Sequence, residues 1–148
     1  MILPAPMRRA LDLAREAAVS GEVPVAAVIT RGDDIIAESV NAMRGRNDPT
    51  AHAEMEAIRG ACGALGQERL DGLDLWVTLE PCAMCAGAIA HARIGRLYYA
   101  ASDPKGGGVE HGPRFFTQPT CHHRPEVYGG IGEGEASELL RAFFSRLR

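Results

Sequence analysis

The feature that most constrains this chain is a pair of short stretches, His52-Ala53-Glu54 and Pro81-Cys82-Ala83-Met84-Cys85, far apart in sequence. Two thiolates and one imidazole make a set of three zinc ligands. With no obvious fourth ligand, a tetrahedral ion held there keeps one position open for a water. Glu54, two residues past the histidine, is placed to reach that water without binding the metal. The fold must therefore carry residue 52 and residues 82–85 to one point from two separate elements.

Periodicity says which elements. Met7, Ala10, Leu11, Ala14 and Ala17-Ala18 recur at helical spacing over about residues 6–20, and Gly21 ends that helix. Residues 23–29 are an apolar, β-branched run that predicts a buried strand, with Pro24 tolerated near its start. A turn at Arg31-Gly32-Asp33-Asp34 leads to a second strand over 35–40, so the pair reads as a hairpin. Residues 41–49 are a polar loop. Thr50 is suited to cap a helix over about 51–64, which places His52 in its first turn, at the positive end of the helix dipole.

Residues 73–79 predict a third strand, and Pro81 suits the first position of the next helix. Cys82 and Cys85 then lie three apart in its first turn, on one face, where free N–H groups favour thiolates. Ala86, Gly87, Ala88 and Ala90 permit close packing. The apolar face from Ala86 to Ile89 fits a subunit contact and burial within the chain equally well. Residues 95–101 predict a fourth strand. From Ser102 to Tyr128 the pattern is irregular, and a loop of that length in a compact domain is usually functional. Leu139, Leu140, Phe143, Phe144 and Leu147 line one side of a last helix over about 133–147. A helix, a hairpin, then alternating helices and strands imply an α/β fold, a single three-layer α/β/α domain over residues 1–148 with a mixed sheet.

Composition narrows the class. Charged residues make up 24% and apolar ones 46%, the balance of an ordinary globular protein, and no apolar run reaches the length of a membrane span. Four cysteines without a secretory leader read as metal ligands and free thiols, which points to the cytoplasm. A net charge of −3 argues against wholesale nucleic-acid binding. Arginines nevertheless gather at 44 and 46, at 93 and 96, at 124, and at 141, 146 and 148. That is enough for a local basic face, or simply for solvated helix ends and loops.

Replacing an exocyclic ring amine by oxygen needs an activated water, which zinc supplies, and a carboxylate that moves a proton from that water to the ring and the leaving ammonia. Glu54 suits that work, and backbone N–H groups at the two helix starts, those of Ala53 and Cys82, are available to hold the oxygen. The His-x-Glu and Pro-Cys-x-x-Cys pair is the general signature of zinc deaminases. A purely structural zinc would recruit a fourth ligand from Cys62, His91, His111, Cys121, His122 or His123. Cys62 reads as a buried apolar thiol, and Cys121 fits loop packing, substrate contact or metal binding.

Glu22-Val23-Pro24-Val25, Asn47-Asp48-Pro49-Thr50-Ala51-His52-Ala53-Glu54, the segment from Val77 through Ala88, and Ala92-Arg93-Ile94-Gly95-Arg96 together resemble bacterial tRNA-specific adenosine deaminases. The likeness covers nearly the whole chain and includes Ser102-Asp103-Pro104-Lys105-Gly106-Gly107. The zinc signature alone marks only the wider cytidine-deaminase-like superfamily, and the segment from Asn47 to Glu54 narrows it. The resemblance implies a cytidine-deaminase-like fold whose sheet gains a fifth strand near Val127, parallel to the fourth. It implies one zinc ion per subunit on His52, Cys82 and Cys85, Glu54 as proton shuttle, and a homodimer acting on a tRNA anticodon stem-loop. Its implied product is inosine at the wobble position. Asn41, with the Ala53 backbone, would bind the flipped adenine, and Asp103 and Lys105 the neighbouring nucleotides. His122, His123, Arg124, Phe144 and Arg148 would be further contacts. The competing readings are a deaminase of a free base or nucleoside, of guanine or cytosine type, and a zinc-stabilised binding module without turnover.

Overall fold

The computed structural model describes residues 2–147. Its centre is a five-stranded mixed sheet in the order β2-β1-β3-β4-β5. The strands are β1 (Ala26–Arg31), β2 (Asp34–Val40), β3 (Asp74–Leu79), β4 (Arg96–Ala101) and β5 (Glu126–Tyr128). β1 runs antiparallel to both β2 and β3, whereas β3, β4 and β5 are parallel. Gly32 turns the β1–β2 hairpin with a φ of +58°, a conformation that L side chains adopt at a cost.

Side-chain alternation along the strands divides the interior in two. Ala27 and Ile29, Leu75 and Val77, and Leu97 and Tyr99 face one core, which they share with α3 (Ala53–Leu65) and α4 (Ala83–Ala92). Val28, Trp76 and Ala100 face the other, against α1 (Ala5–Val19) and α5 (Glu133–Arg146). The three layers expected from the sequence are present. On the α1/α5 side an aromatic ladder crosses the parallel strands: Tyr98 stacks on Trp76 with ring centroids 3.8 Å apart and on Tyr128 at 5.1 Å. The Trp76 indole donates to Thr30 Oγ1 at 3.0 Å.

Several boundaries differ from the sequence expectation, each for a local reason. β1 starts at Ala26, because the Val25 amide bonds Val23 O at 2.8 Å and curls the preceding residues into a tight turn. The polar loop after β2 contains a one-turn helix, α2 (Met43–Arg46), closed by Asn47 in the left-handed region. Thr50 does not cap α3. Its hydroxyl and amide both bond Asp48 Oδ1, at 2.7 and 2.8 Å, and the helix begins at Ala53 with His52 as N-cap. Pro81 likewise precedes the helix, and Cys82 is the N-cap of α4. The stretch from 102 to 128 is less irregular than its sequence implied: Phe115–Thr117 forms a 3₁₀ turn, and β5 joins β4 in parallel, as the resemblance implied. Ala86, Ile89 and Ala90 are buried by the chain itself, and the Phe115 ring packs over Gly87, so burial within the chain accounts for that helix face. Among the described residues no helix is long and apolar enough to cross a membrane.

Candidate active site

The two cap positions build the site. An N-cap residue is extended, and its side chain lies across the open end of the helix where backbone N–H groups are unpaired. His52 (ψ 153°) and Cys82 (ψ 176°) both have this conformation, and neither uses its side chain to cap its helix. Their side chains instead meet each other. His52 Nδ1 lies 3.7 Å from Cys82 Sγ and 3.6 Å from Cys85 Sγ, and all three donor atoms fall within 4.8 Å of one another. These three residues form a group able to hold a metal ion.

The electrostatics fit a cation between the sulfurs. The Cys82 thiol is lowered to about 5 by a hydrogen bond from Cys85, against the cost of burial, with the amides of Cys85 and Met84 at the open start of α4 and the nearby His52 contributing. Cys85 is driven upward by that same bond to Cys82, then by burial and the negative charge of Glu54. One thiolate therefore forms readily, and the second needs a positive partner. Glu54, at the second position of α3, is 4% exposed. Burial pushes its pKa up to about 7; its own amide opposes this and the charge of Cys82 reinforces it. A carboxyl poised near neutrality suits a group that both accepts and gives a proton.

His52, Glu54 and Cys82 open onto a cavity of ≈ 240 Å³ lined also by Val23, Val25, Asn41, Leu79, Glu80, Asp103 and Gly106, with Cys85 buried behind it. Asn41 is buried, and its Oδ1 accepts the Ala53 N–H at 2.8 Å. The Ala53 amide, expected to stand free for a bound oxygen, is thus committed to Asn41. What Ala53 contributes is the orientation of that side chain, whose NH₂ group is left for the cavity. Asp103 lines the wall, its Oδ1 accepting the Gly106 amide at 2.9 Å, and Lys105 is exposed on the same loop.

The outer residues are placed differently. His123 Nε2 bonds Ile94 O at 2.7 Å, the Arg124 guanidinium bonds Phe116 O and Gln118 O, and exposed His122 stands 5.2 Å ring to ring from His91. Phe144, 45% exposed, lies on α5 beside Leu140, Arg141 and Ser145. None of these lines the cavity, and Arg148 lies outside the described residues. Cys121 is buried, with its Sγ on His123 O at 3.1 Å, which is a packing role in the loop.

Sequence reasoning missed Val23, Val25 and Leu79 as walls, having read them as strand residues. It also missed Glu80, whose only signal was an acid standing between an apolar strand and a proline-cysteine turn. Glu80 is buried, which raises its pKa, but the amides of Asp103 and Glu110, the His111 side chain and the Val109 amide more than offset this and hold it below the usual carboxylate range.

A pocket that pairs a His/Cys/Cys cation site with a buried proton-carrying carboxylate and a free amide donor defines a hydrolytic deaminase of nucleobases. The comparisons agree. A family model of MafB19-like deaminases matches residues 4–148. A tRNA-specific adenosine deaminase of Agrobacterium fabrum is 60% identical over 142 residues, covering 96% of this chain and 93% of that protein. One of Bacillus subtilis is 42% identical, covering 96% and 88%. A solved structure from work on A-to-I editing by tRNA:A34 deaminases at the wobble position of transfer RNA is 60% identical, with a TM-score of 0.89 and coverage of 91% and 98%. A guanine deaminase of Bacillus subtilis, 38% identical with coverage of 86% and 85%, superposes less well at a TM-score of 0.68. This chain belongs to the tRNA-specific adenosine deaminase family.

Proposed function

We propose that this chain converts adenosine to inosine at the wobble position of a tRNA anticodon, with zinc as its metal and water as the co-substrate. The observation that carries the reading is the meeting of His52 Nδ1, Cys82 Sγ and Cys85 Sγ beside buried Glu54. Zinc bonds of about 2.3 Å to sulfur and about 2.0 Å to nitrogen in tetrahedral geometry put S and N roughly 3.5 Å apart, and the separations here are 3.7 and 3.6 Å. When bound, zinc supplies a nucleophile at neutral pH by lowering the pKa of water to about 7.

The chain's own residues do the rest. Glu54 takes one proton from the water and gives it to the purine ring nitrogen, where the product keeps it, and then carries the water's second proton to the amine, which departs as ammonia. Asn41 points its NH₂ at a ring acceptor of the flipped base, because its oxygen is held by Ala53. Val23, Val25 and Leu79 give the base apolar walls. Asp103 lies beside the neighbouring nucleotide, and Lys105 is free to meet a backbone phosphate. His123, Arg124, Phe144 and Arg148 complete the proposed contact set with the anticodon stem-loop. Residues 1–148 act as one domain, in a cytoplasmic homodimer with one zinc per subunit, and the mass in solution tests the dimer.

The test is to incubate the zinc-loaded protein with an anticodon stem-loop carrying adenosine at the wobble position, and in parallel with free guanine, adenine, cytosine and cytidine. Inosine formed only in the stem-loop, and lost in Glu54→Ala with zinc still bound, supports the reading. Turnover of a free base with the stem-loop untouched overturns it.

A further inference from the structure

Glu80 binds no metal and carries no proton in the mechanism above, yet its carboxylate is saturated with donors. Oε1 accepts the Asp103 amide at 3.0 Å and pairs with His111 Nδ1 at 2.7 Å. Oε2 accepts the amides of Val109, Glu110 and His111 at 3.2, 2.9 and 3.2 Å. The side chain is 0% exposed. A buried carboxylate held by several backbone amides gathers the chain around itself, and losing it leaves those donors without acceptors in a dry site.

What it gathers is the loop that lines the cavity. The Glu80 amide extends the β3–β4 ladder by bonding Ala101 O at 2.8 Å, so its backbone is fixed where the cysteine turn begins. The loop closes over it without room to spare. A Cβ on Gly107 would lie 2.5 Å from both Asp103 O and Glu80 Oε2, and one on Gly108 would lie 2.6 Å from the Ala83 amide nitrogen. The Gly108 amide donates to Pro81 O at 2.8 Å, which seats the loop on the turn that presents Cys82. The loop's glycines at 107 and 108 are thus explained by close approach rather than by flexibility.

We propose that Glu80 is a positioning residue that clasps residues 103–111 onto the cysteine turn, setting Asp103 and Gly106 in the cavity wall and thereby the affinity for the RNA that presents the target base. The inference rests on the deaminase reading above. Because Asp103 and Gly106 stand on the wall and the chemistry belongs to Glu54, the clasp acts on substrate binding more than on the reacting step.

Two variants attack it from opposite sides. Glu80→Gln keeps the volume but turns one oxygen into a donor, and since both oxygens accept amides, either orientation sets N–H against N–H. Gly107→Ala keeps the Glu80 carboxylate but drives a methyl group against Asp103 O and Glu80 Oε2, so that loop and carboxylate must part. For wild type and both variants, bound zinc, hydrogen exchange of the 103–111 segment, and kcat and KM on the anticodon stem-loop are measured. The expected result is full zinc occupancy, faster exchange confined to that segment, and a KM raised about tenfold with a much smaller fall in kcat. An unchanged KM in a variant whose loop exchanges faster overturns the proposal, as does loss of zinc and kcat together at constant KM. If Glu80→Gln fails to fold, Gly107→Ala decides alone. Absence of turnover by the wild type would overturn the deaminase reading instead, and the exchange data would still decide whether the clasp exists.

Discussion

Asn41 has a structural bond and a proposed contact to the base, and substitution can pull the two apart. Its Oδ1 accepts the Ala53 N–H at 2.8 Å, and Ala53 is 0% exposed. Asn41→Ala leaves that amide buried without an acceptor, at a cost of about 2 kcal/mol or about 4–8 °C in Tm for a chain of this size. It also removes the NH₂ proposed to read the base, for a further expected loss of about 10- to 100-fold in kcat/KM. Asn41→Asp keeps the volume and the acceptor, and the free start of α3 favours its negative charge. Its Tm is expected within about 3 °C of wild type, while kcat/KM falls at least as far as in the alanine variant, because an oxygen now faces the base acceptor. The assay is inosine formation in a stem-loop with paired thermal melts of the same preparations. Wild-type kcat/KM in Asn41→Asp refutes the donor role. Equal Tm values for Asn41→Ala and wild type refute the structural one.

Tyr98→Ala removes the middle ring of the aromatic ladder and is expected to destabilise by about 2–4 kcal/mol. Urea unfolding at constant m-value checks this, and a cost under about 1 kcal/mol would mean the stack is incidental. Glu135 is held at about 2 by hydrogen bonds from Arg8, against partial burial, and from Arg15. A depressed acid stabilises the fold above its ordinary value of 4.5 and loses that contribution as the pH falls toward about 2. Glu135→Gln should therefore lower the urea midpoint at pH 7 and flatten its decline between about pH 5 and 2. The difference should shrink in high salt, as these groups are partly exposed to solvent.

The parts of this molecule legible in its sequence are those set by residue type at short range. The β-branched runs gave the central strands, helical spacing gave α1 and α5, and the His-x-Glu and Cys-x-x-Cys stretches pointed to the candidate metal site. What escaped depended on partners distant in the chain. Thr50 looks like a helix cap in isolation, but Asp48 takes both of its donors, and the cap passes to His52. The three-residue β5 has no pattern of its own: only the family resemblance implies it, and it exists because β4 offers it a parallel edge. The acid at Glu80 is conspicuous between an apolar strand and a proline-cysteine turn, but its task is not, since the donors it satisfies arrive from residues 103–111. The Ala53 amide looked free because the sequence does not show that Asn41 folds back onto it.

Trp76 is the only tryptophan, and it lies 7% exposed on the α1/α5 side of the sheet, away from the helices that carry the ligands. That makes it an intrinsic optical reporter of one half of the interior. Its emission answers to the Thr30 bond and the Tyr98 ring, both on strands. Metal loading or RNA capture confined to the other half should leave its spectrum still. A shift on either event would mean that the strands themselves had moved, turning a rigid partition between two cores into a route of communication.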